Sequence, residues 1–135
     1  MSVSQSETAQ IQDSEDIVRL RQRVRDVMKN EGFSLVDQTK MVTAASELAR
    51  NTLIYGGGGT VILDILKSQV GRVGLRLFFE DHGPGIADID QALKDGFTTG
   101  VGLGLGLGGS KRLVNEFVID SGPDAGTRIT ITRWR

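Results

Sequence analysis

The sequence predicts an α+β fold with helices packed on one face of a mixed, mainly antiparallel sheet. Helical and strand patterns fall in separate runs instead of alternating as βαβ units. Two runs rich in branched and aromatic residues, TVILDILK at 60–67 and RVGLRLFFE at 72–80, flank the connector SQVG, which is short enough for an antiparallel hairpin. A chain of 135 residues is long enough to bury a single core, so one domain over 1–135 is expected, with 1–10 fraying.

Along the chain, MSVSQSETAQ is polar and small, and only Ala9 to Gln12 is expected to add a short edge strand. From Ser14, the residues Ile17, Leu20, Val24 and Val27 recur with helical period, and Gly32 is placed to end that helix. Its arginines at 19, 21, 23 and 25 are spread around the axis and read as a solvated surface in preference to a docking patch. SLVD at 34–37 resembles a capping box opening a second helix, with Val42, Ala45, Ala49 and Leu53 on one face and Gly56 as its stop. The hairpin follows. After DHGPGI come a weak helix over about 88–94, a Gly-rich segment, a helix over about 107–115, and the strands FVIDS and TRITITRW.

Composition removes several classes of function. With 16 basic and 17 acidic residues the net charge is −1, which makes no electrostatic case for nucleic acid or a membrane surface as principal partner. There is no cysteine, so disulfides and thiolate metal sites are excluded. No apolar run is long enough for a signal peptide or a membrane span, and a cytoplasmic protein is expected, with proteins or small molecules as partners. His82 is the single histidine, so neither a His-based zinc site nor a histidine autokinase with its own phosphoacceptor domain can be built.

GVGLGLGLGGSKRL at 100–113 holds six glycines within residues 100–109. Gly104, Gly106 and Gly109 have the spacing of the dinucleotide fingerprint, and Asp120 follows as an acid. Yet DGFTTGV before them is no strong strand, and only 15 residues follow Asp120. A Walker A loop is missed by one residue, because Ser110 separates Gly109 from Lys111. Two readings remain, a backbone-amide cradle for phosphate and a flexible linker. The interleaved leucines and the helical continuation favour the cradle.

Two further stretches carry polar groups in patterned positions. SELARN places Glu47 and Asn51 four residues apart on one side of the second helix, where they can share a ligand, although a solvated polar face is the commoner fate of such a pair. EDHGPGI places Asp81 at a strand end, with Gly83 and Gly85 removing side chains beside it. A carboxylate there can accept a hydrogen bond from the amino group of a flat ring, or the segment can be an ordinary acidic turn.

Taken in order, SELARN, DHGPG, GLGLGLGG and the Gly126–Thr127 pair resemble the N, G1 and G2 boxes of the GHKL (Bergerat) ATP-binding sandwich over nearly the whole chain. Within that family the wording SELARN…Y, FTTGVGLGLGLGGSKRLVNEF and the terminal RW resemble the free-standing bacterial serine/threonine kinases of anti-sigma and switch-protein systems, the RsbT type in particular. The resemblance implies ATP and Mg²⁺ as cofactors and a STAS-domain switch protein as phosphoryl acceptor. It implies Glu47 as general base, Asn51 as the Mg²⁺ ligand, Asp81 as reader of the adenine amino group, Gly83 and Gly85 as shapers of the pocket, and Thr127 near the same ring. Gly102, Gly104, Gly106 and Gly108 would then belong to the lid and phosphate loop. Rival functions are an anti-sigma factor that sequesters a sigma subunit, and a module that binds and activates a phosphatase. Arg50 is expected to pair with an acid in preference to phosphate, Lys111 to reach phosphate or solvate the first turn of its helix, and His82 to be incidental. Thr98 and Thr99 are expected in the lid or an ordinary loop.

Overall fold

The computed structural model describes residues 1–93 and 107–135. Gly102, Gly104, Gly106, Thr98 and Thr99 therefore lie outside the described residues. The elements run β1 (Ser2–Ile11), α1 (Ser14–Asn30), α2 (Leu35–Ile54), β2 (Gly59–Lys67), β3 (Val73–Asp81), α3 (Ile89–Ala92), α4 (Leu107–Arg112), β4 (Glu116–Ser121) and β5 (Thr127–Trp134). The five strands form one sheet in the order β1-β2-β3-β5-β4. Every pairing is antiparallel, so the mixed character expected from sequence is absent among the described residues.

The first ten residues depart furthest from expectation. They form β1, which pairs with β2 from Ser2 opposite Lys67 to Ile11 opposite Gly59, with a register break between Val3 and Gln5. Strand pairing is made by backbone groups, so a run of Ser, Gln, Glu and Thr can join a sheet without an apolar pattern. Ile11 alone in β1 is fully buried.

α1 is opened by a capping box at Asp13 and Asp16, each carboxylate accepting from the other's backbone N–H. Two of its arginines are held by acids, Arg19 by Asp16 and Arg23 by Glu7 of β1, each at 2.6 Å. In α2 only half of the expected box exists. Ser34 accepts from the Asp37 N–H, while the Asp37 carboxylate takes the guanidinium of Arg133 on β5 at 2.7 Å. α4 ends at Arg112, short of the expected Asn115, because β5 competes for that residue: Asn115 donates its N–H to Thr132 and accepts from the Trp134 N–H. α3 is a single turn capped by Asp88.

The helices cover one face of the sheet, with α2 against β2, β3 and β5, and α1 beside α2 and over β1. Val24 and Met28 of α1, Met41 and Leu48 of α2, and Val61, Leu77 and Ile131 of the sheet fill the core between the layers.

Candidate functional site

Where α2 ends, β3 also ends, and between them lies a cleft of about 330 Å³. Its α2 wall is Leu48, Asn51, Thr52 and Tyr55, one side of the last two turns. Phe79 and Asp81 of β3 and Thr127 and Ile129 of β5 form the floor, the turn from Pro84 to Asp88 one rim, and Leu107 of α4 another.

Asp81 is the charged group at the base of this slot, 6% exposed. Burial pushes its carboxyl above the usual carboxylate range. The N–H groups of Gly83 and Thr127, then the charges of His82 and Arg128, pull the other way. Its Oδ1 accepts from the Gly83 N–H at 2.9 Å. Glycines pack around it on three sides. A Cβ on Gly56 would overlap the Asp81 carboxyl, one on Gly83 would sit 2.7 Å from the Gly56 Cα, and one on Gly126 would overlap the Asp81 carbonyl oxygen. At Gly85 both conformation and space require glycine, because φ is +81° and a Cβ would run into the Gly122 carbonyl oxygen.

Two contributors escape a reading of the sequence. Gly56 looks like a helix stop, but α2 is capped at Tyr55 and Gly56 is not among the positive-φ glycines, so its role is to leave room for Asp81. Ser121, the last residue of β4, donates to the Gly126 carbonyl at 2.7 Å and accepts from the Ile86 N–H at 2.8 Å. With its proton so used, it also accepts from the Thr127 hydroxyl at 2.9 Å, which leaves the Thr127 oxygen as an acceptor. Only the pairing of Ser121 with Thr127 across the β4–β5 hairpin could have pointed to it.

Of the residues singled out from sequence, Asn51, Asp81, Gly85 and Thr127 line the cleft, and Gly83 stands behind Asp81. Gly108 is buried in the first turn of α4, next to Leu107 and off the cleft wall. Glu47 is also off the wall, one turn before Asn51, with 38% of its side chain exposed. Its Oε1 accepts from Arg50 at 2.7 Å, the ion pair expected for that arginine. Lys111 is exposed in the last turn of α4, not the first, and His82 is exposed. Among the described residues, no three of His, Cys, Asp and Glu converge as a metal cage.

Residues 36–134 match the histidine kinase-, DNA gyrase B- and HSP90-like ATPase family. The chain belongs to this family. It is 46% identical to the serine/threonine-protein kinase RsbT of Bacillus subtilis over 88% of its own length and 89% of that protein's. It is 31% identical to the anti-sigma F factor of Bacillus licheniformis over 70% of this chain and 68% of the other. Among solved structures, the RsbU and RsbW domains of a Mycobacterium tuberculosis protein share the fold, with a TM-score of 0.63 and 19% identity over 98% of this chain and 33% of that one. The chain is thus a GHKL-fold, RsbT-like serine/threonine-protein kinase, and ATP is the nucleotide its family uses. The cleft suits an adenine ring: apolar walls at Leu48, Phe79 and Ile129 accommodate a flat face, and one desolvated carboxylate offers an acceptor to an exocyclic amino group.

Proposed function

We propose that this kinase phosphorylates a serine or threonine of a STAS-domain switch protein in a bacterial sigma-factor partner-switching pathway. The observation that carries the division of labour is the placement of two side chains on successive turns of α2, Asn51 in the cleft and Glu47 one turn earlier, off the cleft wall and part-exposed. Glu47 takes the proton from the acceptor hydroxyl, which a protein substrate can deliver only from the solvent side. Asp81 accepts from the adenine amino group, with Gly56 packed against its carboxylate and the Gly83 N–H donating to it. The Thr127 hydroxyl, held by Ser121, stands beside Asp81 on the neighbouring strand and offers a second acceptor to the same edge of the slot. Asn51 would supply one oxygen ligand to Mg²⁺, which favours oxygen donors. Bound Mg²⁺ would supply charge neutralisation at the phosphates. Phosphate wrapping by Gly102, Gly104 and Gly106 belongs to the same proposal, whereas Gly108, buried in α4 off the cleft wall, is left out of it.

The test is an incubation of the purified chain with ATP, Mg²⁺ and each STAS-domain protein of its source organism, followed by mass spectrometry of the acceptor. Phosphorylation on Ser or Thr supports the proposal, and an unmodified acceptor refutes it. A second reading draws on the similarity to an anti-sigma F factor, namely that the chain binds and sequesters a sigma subunit. Co-purification of a sigma factor, with no phosphoryl transfer to any STAS protein, would favour it. Binding and activation of a phosphatase is compatible with the kinase and is read out by phosphatase activity on adding the chain.

A further inference from the structure

Asp81, Thr127 and Ser121 stand opposite one another on β3, β5 and β4, so the sheet ends in a row of three polar residues, of which Asp81 and Thr127 line the cleft. The protons of this row have one possible placement. Three oxygens form a chain: the Gly126 carbonyl, the Ser121 hydroxyl 2.7 Å from it, and the Thr127 hydroxyl 2.9 Å from Ser121. Two O···O contacts this short each need a proton, and the carbonyl carries none. Ser121 must therefore donate to Gly126, and Thr127 must donate to Ser121. The Ile86 N–H takes the second acceptor position of Ser121 at 2.8 Å, so that hydroxyl is saturated and cannot turn. What reaches Asp81 from Thr127 is the backbone N–H.

We propose that Ser121 is a positioning residue that sets the base specificity of the nucleotide site, by committing the Thr127 proton and so leaving only acceptors at that edge of the slot. The proposal rests on the reading of Asp81 and Thr127 as the groups that meet the base. A purine with an amino group at position 6 brings donors to this edge, and the carboxylate and the hydroxyl oxygen on neighbouring strands both suit it. A 6-oxo purine brings a carbonyl oxygen instead. The N–H groups of Gly83 and Thr127 are spent on Asp81 and that of Ile86 on Ser121, so none of the three serves that oxygen, which is left desolvated and unpaired. An unconstrained threonine discriminates less, because its hydroxyl rotates to suit either a donor or an acceptor. Removing Ser121 restores that freedom. The released hydroxyl donates to a 6-oxo group when one is bound, or to the Asp81 carboxylate, where it uses up an acceptor that the amino group needs. In either orientation the preference for the 6-amino purine falls.

Calorimetry of the full chain with ATP and with ITP, each with Mg²⁺, gives the ratio of the two dissociation constants, ITP being a 6-oxo purine without the 2-amino group of guanine. The wild type is expected to favour ATP at least about tenfold, and Ser121→Ala to reduce that ratio about threefold or more, the worth of one neutral hydrogen bond. Ser121→Thr keeps the hydroxyl and should keep the ratio. In a Thr127→Val background, Ser121→Ala should leave the ratio unchanged, since no hydroxyl remains to be released. A purely structural anchor would behave differently: its loss would loosen the turn at Ile86 and weaken both nucleotides equally, with the ratio fixed. Circular dichroism checks the fold of each variant. Where Ser121→Ala does not fold, Ser121→Cys has nearly the shape of the wild type with a weak donor and acceptor, and the same fall is expected of it. An unchanged ratio in the folded variant, or a fall that persists with Thr127→Val, overturns the role of Ser121 and leaves the base reading intact. A wild type that binds ATP and ITP equally overturns the base reading and the role of Ser121 with it.

Discussion

Asp81 is held in conflict: its carboxyl is buried against Gly56, while the N–H groups of Gly83 and Thr127 donate to it. The conflict has a sign. Because the folded value is raised, the ionised carboxylate costs stability above it, and that cost is relieved as pH falls through the window between the raised value and the ordinary value of about 3.9. Asp81→Asn should therefore melt at the same temperature as wild type or higher at pH 7 without nucleotide, while binding ATP more weakly by roughly 1–3 kcal/mol, since an amide would turn NH₂ toward NH₂. Differential scanning fluorimetry and calorimetry separate the two effects. Equal wild-type affinity for ATP and GTP would remove Asp81 as a base reader. Gly56→Ala should weaken ATP as well, because its Cβ displaces the same carboxyl. For Glu47→Gln the expectation is the opposite split, ATP affinity retained and single-turnover transfer down about 10²–10⁴-fold.

The first turn of α2 is tied to β5 by one ion pair spanning most of the chain. Arg133 donates to Asp37 through two nitrogens, at 2.7 and 3.1 Å, and to the Leu113 carbonyl at 2.8 Å, with 14% of its own side chain exposed. The guanidinium holds the Asp37 carboxyl below its usual range. A depressed folded value means that stability from the pair is fully present above the unfolded value of about 3.9 and is lost as pH falls through the folded one. Arg133→Ala should destabilise the protein by about 1–3 kcal/mol at pH 7, and the difference from wild type should shrink below about pH 4. Urea denaturation between pH 3 and pH 7 measures it, and a pH-independent difference would assign the loss to packing instead.

At the scale of the molecule, β1 closes the β2 edge of the sheet and adds Ile11, fully buried, to the core. Removing residues 1–11 would expose the backbone edge of β2 along its whole length. The truncated chain is expected to lose at least about 2–5 kcal/mol, the usual cost of deleting one large buried side chain, and to associate through the bared edge. Light scattering and urea denaturation report the two consequences. A monomeric truncation of unchanged stability would reduce β1 to an ornament.

Periodicity and turn residues in the sequence alone determined α1, α2, the β2–β3 hairpin, the final strands and the α+β class, because each is specified by neighbours within a few residues. The order of SELARN, DHGPG and the Gly-rich run likewise points to the family without any tertiary contact. Tertiary structure decided what depends on distant partners. β1 exists because β2 offers it a backbone edge, and α4 stops early because Asn115 pairs with β5. Gly56 and Ser121 join the site only because α2, β3 and the β4–β5 hairpin end at one place. Glycine removed for steric room leaves the same letter in a sequence as glycine used to end a helix, and only the atom that would occupy the missing Cβ's place tells them apart.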